Sequence, residues 1–216
     1  MTLSSSQDSA TQPPATHSPA TRRSWHWLPR VLLESVLIVF SVLFALGMDE
    51  WRMERARAEQ AAVALQGIRA ELAQNLEGVQ NARANHLAMR DSLGHYVALR
   101  QNPPPEIYLQ GIFNPAPTQA VAWESARDIG STAELPHSLV LELARVYDRQ
   151  ARYRSLADAL VQDLMMQVRR EGFEPVLRDR SASFMSLQED FANREGVLIR
   201  EYSAALESID SLAPSP

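Results

Sequence analysis

The sequence predicts an all-α protein, in which an N-terminal transmembrane helix continues into a long helix packed in an antiparallel extramembrane helical bundle. Three observations lead to this prediction. An apolar run near the N-terminus is about as long as a bilayer is thick. Apolar residues recur at spacings of three and four through most of the chain that follows it. Strand-like alternation of apolar and polar residues is missing from the sequence.

Composition sets the first limits on structure and function. Residues 1–24 are rich in Ser, Thr, Gln, Pro and Ala without periodic apolar spacing, so we predict a disordered tail. The sequence contains neither cysteine nor lysine, which excludes disulfides, thiolate metal sites and lysine chemistry. The formal net charge of -5 argues against general binding to nucleic acid.

Residues 28–50 are predicted to form a single transmembrane helix. At 1.5 Å of rise per residue, Leu28–Met48 extends over about 30 Å, the thickness of the hydrocarbon core. Trp27 and Trp51 stand at the two ends, where an aromatic belt lies in membrane proteins. Glu34 is the one ionisable residue in the middle of this run.

Two alternatives to a membrane span remain open. One is a buried core helix of a soluble protein. The other is a cleaved signal peptide, because Ala45-Leu46-Gly47 supplies small residues at a suitable cleavage position, although the apolar run exceeds the usual length of about 7–15 residues. Arginines near the span are equal in number on both sides, and acidic residues dilute the C-terminal side. We therefore expect the N-terminal tail inside the cell and the large C-terminal part outside.

Residues 51–212 are predicted to form the extramembrane bundle. Its helices are expected at about 51–101, 120–128, 137–171 and 183–211, with a proline-rich connection over 102–119. Pro103-Pro104-Pro105 ends the first of these helices, and Gly172 suits the C-terminal cap of the third. Each helix has one narrow apolar stripe, so a homo-oligomer or a protein partner would bury more of it.

Two segments carry a resemblance to known proteins. The first is LLESVLIVFSVLFALGMDEWRMERARAEQ with LQGIRAELAQNL after it, where Glu34 opens the span and Asp49-Glu50-Trp51 closes it. The second is AWESARDIGSTAELPHSLVLELARVYDRQ, a tryptophan helix followed by glycine and a long helix. Together they resemble a widespread bacterial family of single-span membrane proteins, a domain of unknown function. Members more often have paired asparagines near Met48-Asp49-Glu50. The resemblance implies topology and helical architecture but no activity.

Glu34 and a row of arginines are the candidate functional residues. A carboxylate inside a span suggests a proton relay or a helix anchor, whereas pairing with Arg30, four residues earlier, is a structural role. Arg145, Arg149 and Arg152 lie on one helical face and suit either an anionic ligand or acidic partners on the bundle. Trp123 is expected to anchor the short helix by packing.

Catalytic and metal chemistry find little support in the sequence. Glu134 and His137 form a single Glu-x-x-His spacing that contains a proline, and Asp91 lies four residues before His95. His86 falls in the apolar stripe, which favours a core histidine with a hydrogen-bond partner. We predict no enzyme, no cofactor and no metal, and expect a single-pass protein that is anchored in the lipid bilayer and binds partners or acts as a scaffold. A sensory ligand-binding bundle is the alternative.

Overall fold

The computed structural model describes residues 28–110 and 113–212, and every regular element in this part of the chain is helical. The all-α prediction is therefore confirmed. Five α-helices and two short 3-10 helices are present in these ranges: α1 Leu28–Ala98, 3-10 Pro105–Gln110, α2 Val121–Asp128, 3-10 Ser131–Glu134, α3 His137–Glu171, α4 Phe173–Asp179 and α5 Ser181–Leu212. The predicted tail over 1–24 and Trp27 lie outside the described residues.

The chain divides into two compact units, Met1–Trp51 and Arg52–Pro216. In the first unit, the described residues belong to α1 and their side chains are exposed from Leu32 onward. Large apolar side chains make up most of this surface, and Leu33 and Phe40 are 70% and 64% exposed. Within the described ranges, α1 is the one helix long and apolar enough to cross a membrane.

Three helices of the second unit, α1 from Arg52 onward, α3 and α5, are joined by side-chain contacts that also fix their directions. Arg69 contacts Asp210 and His86 contacts Glu195, so α5 runs antiparallel to α1. Tyr147 contacts Glu71, and Gln150 contacts Asn75, so α1 and α3 run parallel. The connection between Ala98 and His137 returns along the bundle, which makes this parallel pair possible.

The core follows the apolar stripes that the sequence shows. Buried residues recur at spacings of three and four in α1 between Ile68 and His86, in α3 between Leu139 and Ala157 and throughout α5, which is the period that places side chains on one face of a helix. The largest fully buried apolar side chains include Ile68, Leu72, Leu143, Phe191 and Leu198. Full burial of each such side chain stabilises the fold by roughly 1.5–3 kcal/mol.

Two local features differ from the predicted helix boundaries, and one agrees with them. α1 ends at Ala98 rather than near 101, and Arg100 just beyond it has a left-handed backbone with φ of 55°. α4 lies between two predicted helices and was not predicted; Pro175 lies in its first turn, where proline is tolerated. The Gly172 amide donates to the Val168 carbonyl at 2.9 Å and caps α3, as predicted.

Candidate functional site

Polar side chains lie within the apolar core of the second unit, and their hydrogen-bonded clusters are the most distinctive feature of the bundle. Among the residues that the structure describes, eight such side chains are buried, and three tyrosines contact them through their hydroxyl groups. The buried polar residues are Glu71, Asn75, His86, Thr118, Ser131, Gln150, Gln188 and Glu195. Buried polar groups destabilise a fold unless they are hydrogen-bonded, so their partners decide what they do.

Glu71 of α1 caps the N-terminus of α2. Its Oε2 accepts a hydrogen bond from the Ala122 amide at 2.9 Å, and its Oε1 lies 3.5 Å from the Trp123 amide. The Tyr147 hydroxyl donates to Oε1 at 2.8 Å. Ala120, at the N-cap of α2, makes no side-chain capping bond. A carboxylate from another helix thus supplies the acceptor and the negative charge that a helix N-terminus favours.

Asn75 and Gln150 hold the connection against the helices. Asn75 makes two hydrogen bonds to the Gln119 backbone: Nδ2 donates to the carbonyl at 2.7 Å, and Oδ1 accepts from the amide at 2.9 Å. Gln150 Nε2 donates to the same carbonyl at 2.8 Å, and Tyr202 donates to Gln150 Oε1 at 2.7 Å. This cluster therefore links α1, α3, α5 and the segment before α2.

His86, Glu195 and Tyr153 form a second buried cluster, with one residue from each long helix. Glu195 is fully buried, and its Oε2 lies 2.9 Å from His86 Nδ1. Tyr153 donates to Glu195 Oε1 at 2.7 Å and accepts from the Ala116 amide at 2.9 Å. Both carboxylate oxygens are thus hydrogen-bonded, which offsets part of the cost of removing this group from water.

Burial raises the pKa of the tyrosines in these clusters. For Tyr147 and Tyr153, desolvation is the largest cause, and hydrogen bonds to Glu71 and Glu195 add to it. Desolvation also raises the pKa of Tyr202, with further contributions from the charges of Glu201 and Glu71. These hydroxyl groups are therefore structural donors that stay protonated across the physiological pH range.

The imidazole of His86 lies between aromatic rings. Phe113 stacks on it with ring centroids 5.6 Å apart, and Phe191 lies tilted at 5.8 Å. His86 Nε2 is buried and has no hydrogen-bond partner in the described part of the chain. A cavity of about 280 Å³ borders this histidine, and polar residues contribute to its lining: Asn85, Ser92, Glu106, Asn114 and Gln188.

The three arginines of the predicted row, Arg145, Arg149 and Arg152, all lie on α3. Arg149 pairs with Glu201 of α5 at 2.8 Å, and Arg152 pairs with Asp148 of its own helix at 2.7 Å. Arg145 is exposed on the same helix. Arg149 and Arg152 also line a cavity of about 360 Å³. Two of the three predicted arginines thus have acidic partners, which was the structural role considered for them.

Trp123 of α2 is buried, and its packing agrees with the predicted role of anchoring this short helix. Its ring stacks on Tyr147 with centroids 5.4 Å apart and an interplanar angle of 2°. The Arg127 guanidinium lies 5.9 Å from the centroid of the same ring. With the Glu71 cap, this stack attaches α2 to α1 and α3.

The predicted span residues lie on or before α1. Glu34 and Trp51 are exposed residues of this helix, and Arg30 belongs to its first turn. The pairing of Arg30 with Glu34 stays a prediction, because the structure does not describe the Arg30 side chain.

Residues considered for metal or catalytic chemistry are scattered. Asp91 pairs with Arg90 at 2.6 Å, His95 lies edge-on against Tyr96, and His137 is exposed at the start of α3. Over residues 28–110 and 113–212, no three His, Asp or Glu side chains group so as to hold a metal ion.

Sequence reasoning missed three polar members of the core. Glu71, Asn75 and Glu195 all occupy positions within the apolar stripes: Asn75 follows Leu72 by three residues, and Glu195 follows Phe191 by four. A polar residue in the register of a core stripe was the available signal, because a helix buries every residue on that face.

No protein-family model, curated protein or solved structure matches this chain.

Proposed function

We propose that this protein is a single-pass membrane protein whose helical bundle binds a protein partner and has no catalytic role. The observation that carries the proposal is the apolar surface of α1. None of its most apolar stretch is buried, whereas a core helix of a soluble protein would be mostly buried. Lipid removes this surface from water without requiring any other part of the chain to cover it.

Retention of the span, rather than cleavage, is favoured by the helix itself. Ala45-Leu46-Gly47 lies inside α1, which continues to Ala98. The apolar run also exceeds the usual length of a signal sequence. We propose a cytoplasmic N-terminus and a periplasmic bundle in the bacterial inner membrane. Membership of the bacterial single-span family stays a proposal that depends on Glu34 and Asp49-Glu50-Trp51.

The bundle offers one surface that suits a partner helix. A groove of about 570 Å³ runs between α1 and α2, and small residues that include Ala56, Ala64 and Gly67 line it. Val63 and Ile129 border this groove and are 69% and 68% exposed. Small residues allow two helix backbones to approach closely, and exposed aliphatic side chains gain from burial.

A second copy of this chain is the proposed occupant of the groove. Copies anchored in one membrane share an orientation, so their α1 helices are presented in parallel, as in a parallel coiled coil. Arginine and glutamate are interspersed along α1 where it enters the groove, at Arg52, Glu54, Arg55, Arg57 and Glu59. Such mixed charge is compatible with pairing of identical helices.

Cysteine cross-linking in native membranes tests this proposal directly, because the chain has no cysteine of its own. Val63→Cys should give a disulfide-linked dimer under mild oxidation. Ser155→Cys, on the exposed surface of α3, is the matched control and should stay monomeric. A monomeric Val63→Cys protein, or a cross-link to a protein of different mass, would contradict self-association at the groove.

A sensory ligand-binding bundle is the second candidate function. It is favoured by the cavity beside His86, a feature that a purely structural scaffold does not need.

A further inference from the structure

A cavity of about 360 Å³ is lined by residues of α3 and α5 and has an apolar floor. Tyr153 and Leu198 are 4% and 1% exposed and form this floor, with the half-buried Val197 beside them. The Tyr153 hydroxyl donates to Glu195 and accepts from the Ala116 amide, so this hydroxyl is engaged within the bundle. The floor therefore offers a ligand an aromatic ring and aliphatic groups to pack against.

Three arginines form the rim of this cavity, and none of the described residues that line it is acidic. Arg149 and Arg152 belong to α3 and Arg194 belongs to α5, and their side chains are 54%, 78% and 50% exposed. Each has an acidic partner that lies outside the lining; these partners are Glu201, Asp148 and Asp190. The cavity thus presents positive charge to a ligand, although the three ion pairs are neutral as a whole.

The acidic partners leave guanidinium donors available at the rim. Arg152 donates to Asp148 through Nη2, and Arg194 donates to Asp190 through Nε, each at 2.7 Å. A guanidinium has five N–H donors on three nitrogens, so each of these groups keeps two nitrogens that its acid does not occupy. Exposed ion pairs stabilise little, so a bound anion does not have to displace a strong interaction. A planar carboxylate fits such a fork of donors in a bidentate manner.

We propose that this cavity binds a monocarboxylate with a compact apolar body, such as an arylacetate. The carboxylate accepts hydrogen bonds from the arginines of the rim, and the apolar body packs on Tyr153, Val197 and Leu198. The acidic partners of the arginines repel further negative charge, which disfavours phosphates and dicarboxylates. The volume lies near the lower end of the range for small-molecule pockets, about 300–1,000 Å³, which favours a single ring over a long chain.

Fluorine NMR of a labelled ligand, with the full-length protein in phosphatidylcholine nanodiscs and empty nanodiscs as the blank, tests the proposal. The probe is para-fluorophenylacetate, its amide is the neutral analogue of the same shape, and acetate supplies the charge without the ring. We expect saturable line broadening of the probe, with a dissociation constant of about 1 mM or lower. The amide should bind about tenfold more weakly, because it lacks the charged acceptor.

Three results would overturn the proposal: no saturable binding of the probe, equal binding of the amide, or displacement of the probe by an equal concentration of acetate. The proposal concerns the helical bundle alone. Its outcome is therefore independent of membrane insertion and of self-association.

Two variants that each remove one positive charge from α3 show whether binding occurs at this cavity. Arg152→Gln removes a guanidinium from the rim and should weaken binding of the probe about tenfold, because a hydrogen bond between charged groups is lost. Arg145→Gln removes the same charge at an exposed position outside the lining and should leave the affinity unchanged. Equal affinities of the two variants would place binding elsewhere and overturn the assignment.

A cavity-filling variant tests the apolar part of the site without a change of charge. Asn193→Phe adds a ring at the cavity and should abolish saturable binding of the probe. Ser186→Phe adds the same ring at an exposed position about two turns earlier on α5 and should retain binding. Thermal unfolding without the probe shows that both variants are folded. Undiminished binding by a folded Asn193→Phe protein would contradict an apolar body in this cavity.

Discussion

Replacement of Glu71 by alanine is expected to release α2 from the bundle and to lower the free energy of unfolding by about 2–3 kcal/mol. The change removes the carboxylate that accepts hydrogen bonds from the Ala122 amide and the Tyr147 hydroxyl and that lies 3.5 Å from the Trp123 amide. α2 has no side-chain cap at Ala120 to take over this role.

The magnitude follows from the groups left without an acceptor. The Tyr147 hydroxyl is buried, and an unsatisfied buried donor costs about 1–3 kcal/mol. Loss of an N-cap acceptor adds about 1 kcal/mol. This loss of stability is partly offset, because folding of the Glu71→Ala variant no longer removes a carboxylate from water.

Chemical denaturation, followed by circular dichroism and tryptophan fluorescence, measures this effect on the full-length protein in detergent. Glu71→Gln is the matched control, since it keeps an acceptor and loses the charge, and it should cost only about 1 kcal/mol. A loss below about 0.5 kcal/mol for Glu71→Ala would refute the capping role. The same conclusion would follow if Glu71→Gln were as unstable as Glu71→Ala.

Three further predictions concern the polar core and the span. Tyr153→Phe leaves the Ala116 amide and one Glu195 oxygen without a partner and should cost about 2 kcal/mol in the same denaturation assay; an unchanged midpoint would contradict it. Burial raises the pKa of Tyr147, Tyr153 and Tyr202 in the folded protein. The stabilisation that these protonated hydroxyls give the folded state is therefore present below the ordinary tyrosine pKa, and it is lost as the pH rises through the pKa values of the folded state. Ultraviolet titration should therefore show these hydroxyls ionising together with alkaline unfolding, and gradual ionisation in the folded protein would argue against their burial. Val39→Arg places a charge at the centre of the span, which raises the free energy of membrane insertion by about 2.5–3.5 kcal/mol and should reduce the membrane-integrated fraction of the protein. Val63→Arg, outside the span, is the control and should not reduce this fraction.

Periodicity was sufficient to predict the long helices. The apolar stripe of α3 and the glycine that follows it placed this helix over 137–171, where the structure has His137–Glu171. Long helices with one buried face are the elements for which spacing carries the most information.

Local geometry was harder to predict than periodicity. α4 spans seven residues with Pro175 near its start, and the 3-10 helix at Pro105–Gln110 begins within a proline run. Elements this short depend on their surroundings more than on their own sequence. The parallel arrangement of α1 and α3 likewise depends on long-range contacts such as Asn75–Gln150, which spacing does not reveal.

The candidate site was only partly accessible from sequence. The stripe predicted that His86 is a core histidine with a hydrogen-bond partner, and its contact with Glu195 confirms this. The partner itself is 109 residues away in the sequence, and nothing local to either residue indicates the pairing. The cavity beside His86 arises from side chains of α1, the connection and α5, so it exists only in the folded bundle.

We propose that the apolar part of α1 stays in the bilayer and anchors the bundle on the outer side of the membrane. Single cysteines labelled with a membrane-impermeant maleimide, in spheroplasts of a bacterial host, test it most directly. Ser155→Cys on the exposed surface of α3 should be labelled in intact spheroplasts, and Ser6→Cys in the tail only after lysis, on a full-length chain that resists carbonate extraction. A chain that begins after Gly47, or one that is released into the aqueous fraction, would contradict the account.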